Sequence, residues 1–593
     1  MFSYRFSPTG LNPIAFLVLS FLVGSCGASP KEQGLQPTDQ IRLNQVGYYP
    51  LQKKVAVVLS EKSPGSFRVL DRKKNTVVLE GKLSENAAPT WSGKKVWNAD
   101  FSELKSEGEY TLEIPGLGRS YVFAVQNGIY KDLGKAGLKA FYFQRASTDI
   151  EKAYAGRWAR KGGHPDDWVM IHASAASTSR PEGTLIPSPK GWYDAGDYNK
   201  YIVNSGITMG TLLAAYERYP DYFGSLDLNI PESGDNLPDI LNEVLYNLDW
   251  MLTMQDPADG DVYHKLTTAA FEGMEIAPTG ATSQRYVVQK STAATLDFAA
   301  VMAQAARVFK PFSPENSAAY LKAAEKAWQW AGLNPKVHYR QNEINRKFDP
   351  DVQTGTYGDE NLRDEWIWAA SELYISTKNP TYWKEVEKGS AEYTLPSWPD
   401  VQWLGYYSLI RHGENLEHVP AEWLSGRKAT LVAEAKRLRQ EGARWSYLAP
   451  MGSSEKNFIW GSNSVASNQG ILLLEAYHLS GDREFLQSAE DNLDYLLGRN
   501  ATGYSYVTGF GGNSTRWPHH RLAASRPDLP PLPGFLAGGP NPGQQDGCEY
   551  PSNIPDESYT DAVCSYASNE IAINWNAPFA YLANAVNAIR SAD

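Results

Sequence analysis

Three segments of this 593-residue chain concentrate side chains able to move protons or hold polyols. The first is Gly191-Trp192-Tyr193-Asp194-Ala195-Gly196-Asp197-Tyr198-Asn199-Lys200, with two carboxylates three positions apart around a glycine. If both reach one water, the ionised one accepts its proton and the other orients it. Aspartates serve equally often as helix caps and turn formers, so this segment alone leaves both roles open. The second is Pro518-His519-His520-Arg521, after the glycine-rich stretch 506–513. Imidazole and the planar guanidinium fork suit hydrogen bonds to hydroxyl groups. Adjacent histidines seldom face one metal, and a surface loop with incidental charges is the plain alternative. The third segment spans 559–578, where Glu570 sits among apolar and amide residues at the start of the last predicted helix. Burial there would keep Glu570 protonated near neutrality, as a general acid requires. A solvated glutamate at a helix N-terminus would instead be an ordinary acid. A proton donor facing a carboxylate base is the pair that glycosidic-bond hydrolysis needs.

Two kinds of element must position these segments. Between 41 and 125, short alternating stretches read as strands: 55–59, 66–71, 76–83, 109–114 and 120–125. Pro64-Gly65 and Pro115-Gly116 punctuate them, which suggests an immunoglobulin-like β-sandwich with a supporting role. After Gly128 apolar residues recur at helical spacing over 132–145, 208–219, 238–254, 291–309, 314–330 and 364–376. The pattern continues weakly at 382–393, then over 401–410, 421–439, 467–479, 482–497 and 569–590. About twelve helices fit six hairpins in a double ring, and a helical solenoid by count alone, although no repeat consensus is visible. The long non-helical segments 147–204, 255–290 and 498–566 hold or border the reactive residues.

Composition narrows the class. Hydrophobic residues at 42% and charged residues at 21% describe a folded globular chain. A net charge of −11 argues against a nucleic-acid partner. The 18 Trp and 34 Tyr supply flat rings of the kind on which sugars stack. Residues 1–26 read as an export signal: Arg5, a short apolar run over 14–23, then Val23-Gly24-Ser25-Cys26. That ending resembles a bacterial lipobox, with Cys26 lipidated at the mature N-terminus, a polar tether over 27–38 and an outer-membrane location facing the periplasm or the exterior. An ordinary signal peptide with an incidental cysteine is the alternative. Cys548 and Cys564 are either bridged, closing a loop of about 17 residues, or two free thiols.

The three motifs together resemble glycoside hydrolase family 9, whose catalytic domain is an (α/α)6 barrel. Asp194-Ala195-Gly196-Asp197 is similar to the family's base region, 505–521 to its histidine signature and 559–577 to its second signature. Ile41-Arg42-Leu43-Asn44-Gln45-Val46-Gly47-Tyr48 resembles the opening of the immunoglobulin-like domain that precedes many such barrels. The implied organisation is a sandwich over 39–127 and a barrel over 128–593. The resemblance makes Asp197 the general base, Asp194 its partner on the water and Glu570 the general acid. His519 and Arg521 would hold the sugar beside the cleavage point, and Asp561 would support the acid's surroundings. Inversion at the anomeric carbon and a carboxyl separation of about 6.5–9.5 Å are implied. Trp192, Tyr198, Trp517 and Tyr566 are expected sugar platforms, some of them core. No cofactor is needed for the chemistry. Relatives hold calcium near a segment like 354–365, which points to Asp364, Glu365 and Asp400 as ligands of a structural calcium, or to acidic helix starts without metal. The loop with His164 and His172 lacks the cysteines that relatives use for zinc.

The resulting expectation is an endo-acting β-1,4-glucanase. A xyloglucan-specific, cellodextrin-specific or exo-acting relative shares the same chemistry. A lipoprotein that captures glycans without cutting them is the alternative from another class, and the presence of Asp194, Asp197, His519, Arg521 and Glu570 weighs against it. Nothing in the sequence sets the oligomeric state.

Overall fold

The structure is a computed structural model that describes residues 37–86, 88 and 90–592. The expected signal segment, Cys26 and most of the expected tether lie outside the described residues.

The first domain is a two-sheet sandwich. Its strands are β1 (Ile41–Arg42), β2 (Gly47–Tyr48), β3 (Val55–Leu59), β4 (Ser66–Asp71), β5 (Thr76–Lys82), β6 (Ser84–Glu85), β7 (Val96–Asp100), β8 (Gly108–Ile114), β9 (Gly118–Arg119) and β10 (Phe123–Val125). One sheet runs β1-β3-β7-β6 and the other β2-β10-β8-β4-β5, with β9 on β8. Inward side chains from both sheets, including Val58, Phe67, Val69, Phe101, Leu112 and Phe123, form a separate core. Strand β7 escapes the sequence pattern because its residues alternate poorly between core and solvent.

Twelve helices build the second domain: α1 (Lys131–Gln144), α2 (Ile202–Arg218), α3 (Asp239–Thr253), α4 (Thr292–Phe309), α5 (Pro314–Leu333), α6 (Arg363–Thr377), α7 (Pro380–Val386), α8 (Gln402–His412), α9 (Ala421–Gly442), α10 (Ser462–Ser480), α11 (Arg483–Leu496) and α12 (Ile573–Ala592). The even-numbered helices form the inner ring of an (α/α)6 barrel. Each odd-numbered helix packs outside an even one: α1 on α12, α3 on α2, α5 on α4, α7 on α6, α9 on α8 and α11 on α10. Sequence explains the layers. Helix α4 is buried on nearly every side and carries Ala at many contact positions, which lets neighbours approach closely. Helix α9 buries only Leu424, Leu431, Ala435, Leu438 and Gly442, one stripe of an otherwise charged helix. The segment 382–393 is helical only as far as Val386.

The long connections are ordered. Between α1 and α4 they form a small sheet of β11 (Val169–Ile171), β12 (Leu185–Ile186), β13 (Lys200–Tyr201), β14 (Lys265–Thr268) and β15 (Arg285–Val287), in the order β12-β11-β15-β14-β13. This sheet carries the residues that follow Asp197 directly into α2. The two domains are joined by polar contacts: Asn44 Nδ2 donates to Asp494 Oδ1 at 2.8 Å, and Gln45 Nε2 donates to Gly503 O at 2.8 Å. No described helix is long and apolar enough to cross a membrane.

Candidate active site

The three reactive segments meet through main-chain hydrogen bonds. His519 and Glu570 are partners in a parallel β-bridge, and His519 N donates to Asn569 O at 2.9 Å. Arg521 N donates to Gly196 O at 3.0 Å, and Ile573 N to Asp194 O at 2.9 Å. Gly196 N completes the junction by donating to Glu570 Oε1 at 3.2 Å. A methyl group at position 196 would stand 2.3 Å from the His519 carbonyl oxygen, so only glycine fits between the two aspartates.

Each carboxyl is held differently. Asp197 is 6% exposed, and its Oδ2 accepts from Asn199 Nδ2 at 2.6 Å and Tyr201 OH at 3.0 Å. Both donors take the same oxygen, a geometry that suits a base using its other oxygen on water. Asp194 lies deeper, and its two oxygens accept from Asn204 Nδ2 at 2.5 Å and Tyr357 OH at 2.9 Å. Burial, then the neighbouring Asp197 charge, pushes the Asp194 carboxyl well up from the ordinary aspartate range. Glu570 is also pushed well up, by burial first and then by the Asp197 charge. A glutamic acid that keeps its proton beside an aspartate with two donors on one oxygen is the division of labour that acid–base cleavage requires. Glu570 itself is not on the last helix. It lies in an extended stretch (φ −70°, ψ 155°) between a short turn of helix, Tyr566–Asn569, and α12. The bridge to His519 holds it there, so the helix dipole is not its main influence.

The other predicted residues divide into those at the junction and those elsewhere. His519 Nδ1 bonds the Val563 carbonyl at 2.7 Å, and burial holds its pKa down, so a neutral ring offers Nε2. Arg521 donates to Gly196 O at 2.9 Å through Nη1 and to Glu272 O at 2.8 Å through Nε. These bonds tie the base loop to the loop after β14. Asp561 accepts from Arg516 N and Trp517 N, each at 2.8 Å, and from Asn569 Nδ2 at 3.1 Å, which braces the residue preceding Glu570.

Two of the four expected aromatic platforms are core. Trp192 is fully buried against Phe141, with ring centroids 4.8 Å apart. Tyr198 packs on Tyr193 and donates its hydroxyl to Ile276 O at 2.7 Å. Neither can stack on a sugar. Trp517 is 55% exposed, while Tyr566, half-buried with its ring 5.8 Å from that of His519, packs on Trp460 and donates its hydroxyl to Gln545 O at 2.9 Å. The sequence reading missed Asn199, Tyr201, Asn204 and Tyr357, the donors that hold the aspartates, and Gln144, which joins Ala195 O to His520.

Cys548 and Cys564 form a disulfide with Cα atoms 6.1 Å apart, next to Val563. Among the described residues, only Asp256, Asp259 and Asp261 bring three carboxyl oxygens within 4.8 Å of one another. Lys290 Nζ already lies 2.9 Å from Asp256 and 2.7 Å from Asp261 and supplies the positive charge there. Asp364, Glu365 and Asp400 are not gathered so tightly. Asp364 accepts from Val401 N and Asn361 Nδ2, and Asp400 from Thr394 Oγ1. Both Glu365 oxygens and Asp359 Oδ2 are buried without a hydrogen-bond partner.

A double ring of helices, with a carboxylate base and a protonated carboxyl joined by main chain on its loops, defines a barrel glycoside hydrolase. The model of glycosyl hydrolase family 9 matches residues 130–583, and that of the cellulase N-terminal ig-like domain matches 36–119. The chain belongs to glycoside hydrolase family 9. It is 47% identical over 579 residues to a xyloglucan-specific endo-β-1,4-glucanase of Bacteroides ovatus, covering 97% of each chain. It is 32% identical over 567 residues to endoglucanase D of Acetivibrio thermocellus, covering 94% of this chain and 84% of that protein. Among solved structures, a Bacteroides ovatus family 9 hydrolase superposes with a TM-score of 0.88 at 46% identity, covering 93% of this chain and 100% of the other.

Proposed function

We propose that this protein is an endo-β-1,4-glucanase that cleaves with inversion, with the xyloglucan backbone as its favoured substrate. The observation that carries the chemistry is the Gly196–Glu570–His519 junction, which sets a protonated Glu570 against the Asp194–Asp197 pair. Glu570 gives its proton to the leaving glycosidic oxygen. Asp197 takes a proton from the water that attacks the opposite face of the sugar, and Asp194 supports that water's site. The xyloglucan preference is supported by the Bacteroides ovatus relative, which matches nearly the whole chain. Reducing-end release from xyloglucan, carboxymethylcellulose, mixed-linkage glucan and chitosan tests it. Fast random shortening of xyloglucan is expected. Release of one small sugar only, or a preference for another polymer, would overturn the endo or the xyloglucan part respectively. No release from any of the four would favour the glycan-capture alternative.

A structural calcium near Asp364, Glu365 and Asp400 is part of the same proposal. Its support is a set of unpartnered carboxyl oxygens, both of Glu365 and Asp359 Oδ2, in a place where burial first and neighbouring carboxylates second raise Asp364 and Glu365. Millimolar calcium is expected to raise the melting temperature by several degrees relative to chelator, on the order of 2 kcal/mol. An unchanged melt would remove the calcium. We also propose that the protein is exported and lipid-anchored at Cys26, on the lipobox-like sequence alone. Cys26→Ser should then leave the washed membrane fraction, and its persistence there would contradict the anchor.

A further inference from the structure

The strand pair that supports the base also carries a buried amine that no step above uses. Tyr201 on β13 and Lys265 on β14 are direct cross-strand partners. Lys265 Nζ lies 5.5 Å from the centroid of the Tyr201 ring. It donates to Gly355 O at 2.6 Å, Gln341 Oε1 at 2.7 Å and Thr354 Oγ1 at 3.0 Å. The Gly355 main-chain carbonyl, the Gln341 side-chain carbonyl and, at 3.4 Å, the Thr354 main-chain carbonyl can only accept, which suits the three protons of an ammonium, while the Thr354 hydroxyl can accept or donate. Burial holds the Lys265 pKa well below its ordinary value, and the Asp197 charge opposes that shift. The Thr354 side chain also neighbours the Tyr201 phenol. A second arm from β14 reaches the base: Thr268 N donates to Asn199 Oδ1 at 3.0 Å, and Asn199 Nδ2 donates to Asp197.

This arrangement answers a problem set by the site. Asp197 faces Asp194 on its own loop, Tyr201 on β13, Lys265 on β14, and His519 and Glu570 on the C-terminal segments. Arg521 also charges this region, but its guanidinium is directed at the Gly196 and Glu272 carbonyls. Burial and the Asp197 charge raise both Asp194 and Glu570, and the reaction needs a proton on Glu570 and none on Asp197. We propose that Lys265 and Tyr201 are positioning residues for the base: the buried ammonium polarises the phenol across the strand pair, and the phenol fixes Asp197 in its ionised form. A cation over a phenol ring and in contact with its hydrogen-bond neighbours makes the hydroxyl a stronger donor. The proposal rests on Asp197 being the base.

The test is the pH dependence of kcat and KM on one soluble glucan for wild type, Lys265→Met, Tyr201→Phe and the double variant. Circular dichroism and oligosaccharide affinity check folding and binding. Each single change is expected to move the acidic limb of kcat/KM upward by about one pH unit with KM nearly unchanged. The double variant should move it little further, since both act through one contact. Folded variants whose acidic limb stays in place, or whose KM rises without a limb shift, would overturn the proposal, as would additive shifts. If Lys265→Met does not fold, Tyr201→Phe decides alone: a shifted limb supports the proposal and an unmoved one overturns it. Full activity in Asp197→Asn would instead mean that the assignment of the base has failed.

Discussion

Glu570→Gln is expected to lower kcat on an unactivated β-1,4-glucan about 10³-fold, roughly 4 kcal/mol of transition-state stabilisation. The amide keeps the size of the side chain and a hydrogen bond to Gly196 N, so the His519 bridge and the fold should persist. What is lost is the proton for the leaving oxygen. An aryl glycoside with an acidic phenol needs no such proton, and on it the loss should shrink to about tenfold. The pH profile gives the second signature. Burial and the Asp197 charge raise the Glu570 pKa, so wild-type activity requires its protonated form and falls as pH rises through that value. The variant has nothing to titrate there, and the alkaline limb of its residual activity should disappear. Equal losses on both substrate types would remove Glu570 from the acid role.

Asp197→Asn is the counterpart. Here the loss should be about 10³-fold or more on activated and unactivated substrates alike, because both depend on the attacking water. Asparagine can still accept from Tyr201 and Asn199, so the geometry around Oδ2 is preserved while the charge is not. Azide, a small anion that needs no base, should restore part of the activity on an aryl glycoside. Asp194→Asn should cost less, since Asp194 is already pushed toward its protonated form by burial and by Asp197. A larger loss for Asp194→Asn than for Asp197→Asn would reverse the two roles.

Much of this architecture is written locally along the chain. Helical periodicity located the inner and outer helices, and strand alternation located most of the sandwich, because each reflects which face of an element meets the core. The three carboxyl-bearing segments that meet in the fold stand out by their residue types and neighbours. What stayed hidden depends on contacts between distant segments. Glu570 looks like the first turn of α12, yet a bridge to His519, 51 positions away in the chain, draws it into extended form. Trp192 and Tyr198 look like sugar platforms, yet Phe141 and Tyr193 enclose them. Tyr201 and Asn199 could have been suspected as polar residues two to four positions beyond Asp197. Lys265 could not. Its relation to the base exists only through the β13–β14 register.

The account stands most directly on inversion, which requires a water between base and sugar and excludes a covalent glycosyl intermediate. Proton NMR of xyloglucan oligosaccharide hydrolysis in its first minutes, before mutarotation equilibrates the new reducing end, reads the stereochemistry. The α-anomer is expected to form first, with the β-anomer growing in later. A β-anomer formed first would mean retention, a nucleophilic carboxylate in place of a base, and a wrong assignment for Asp197.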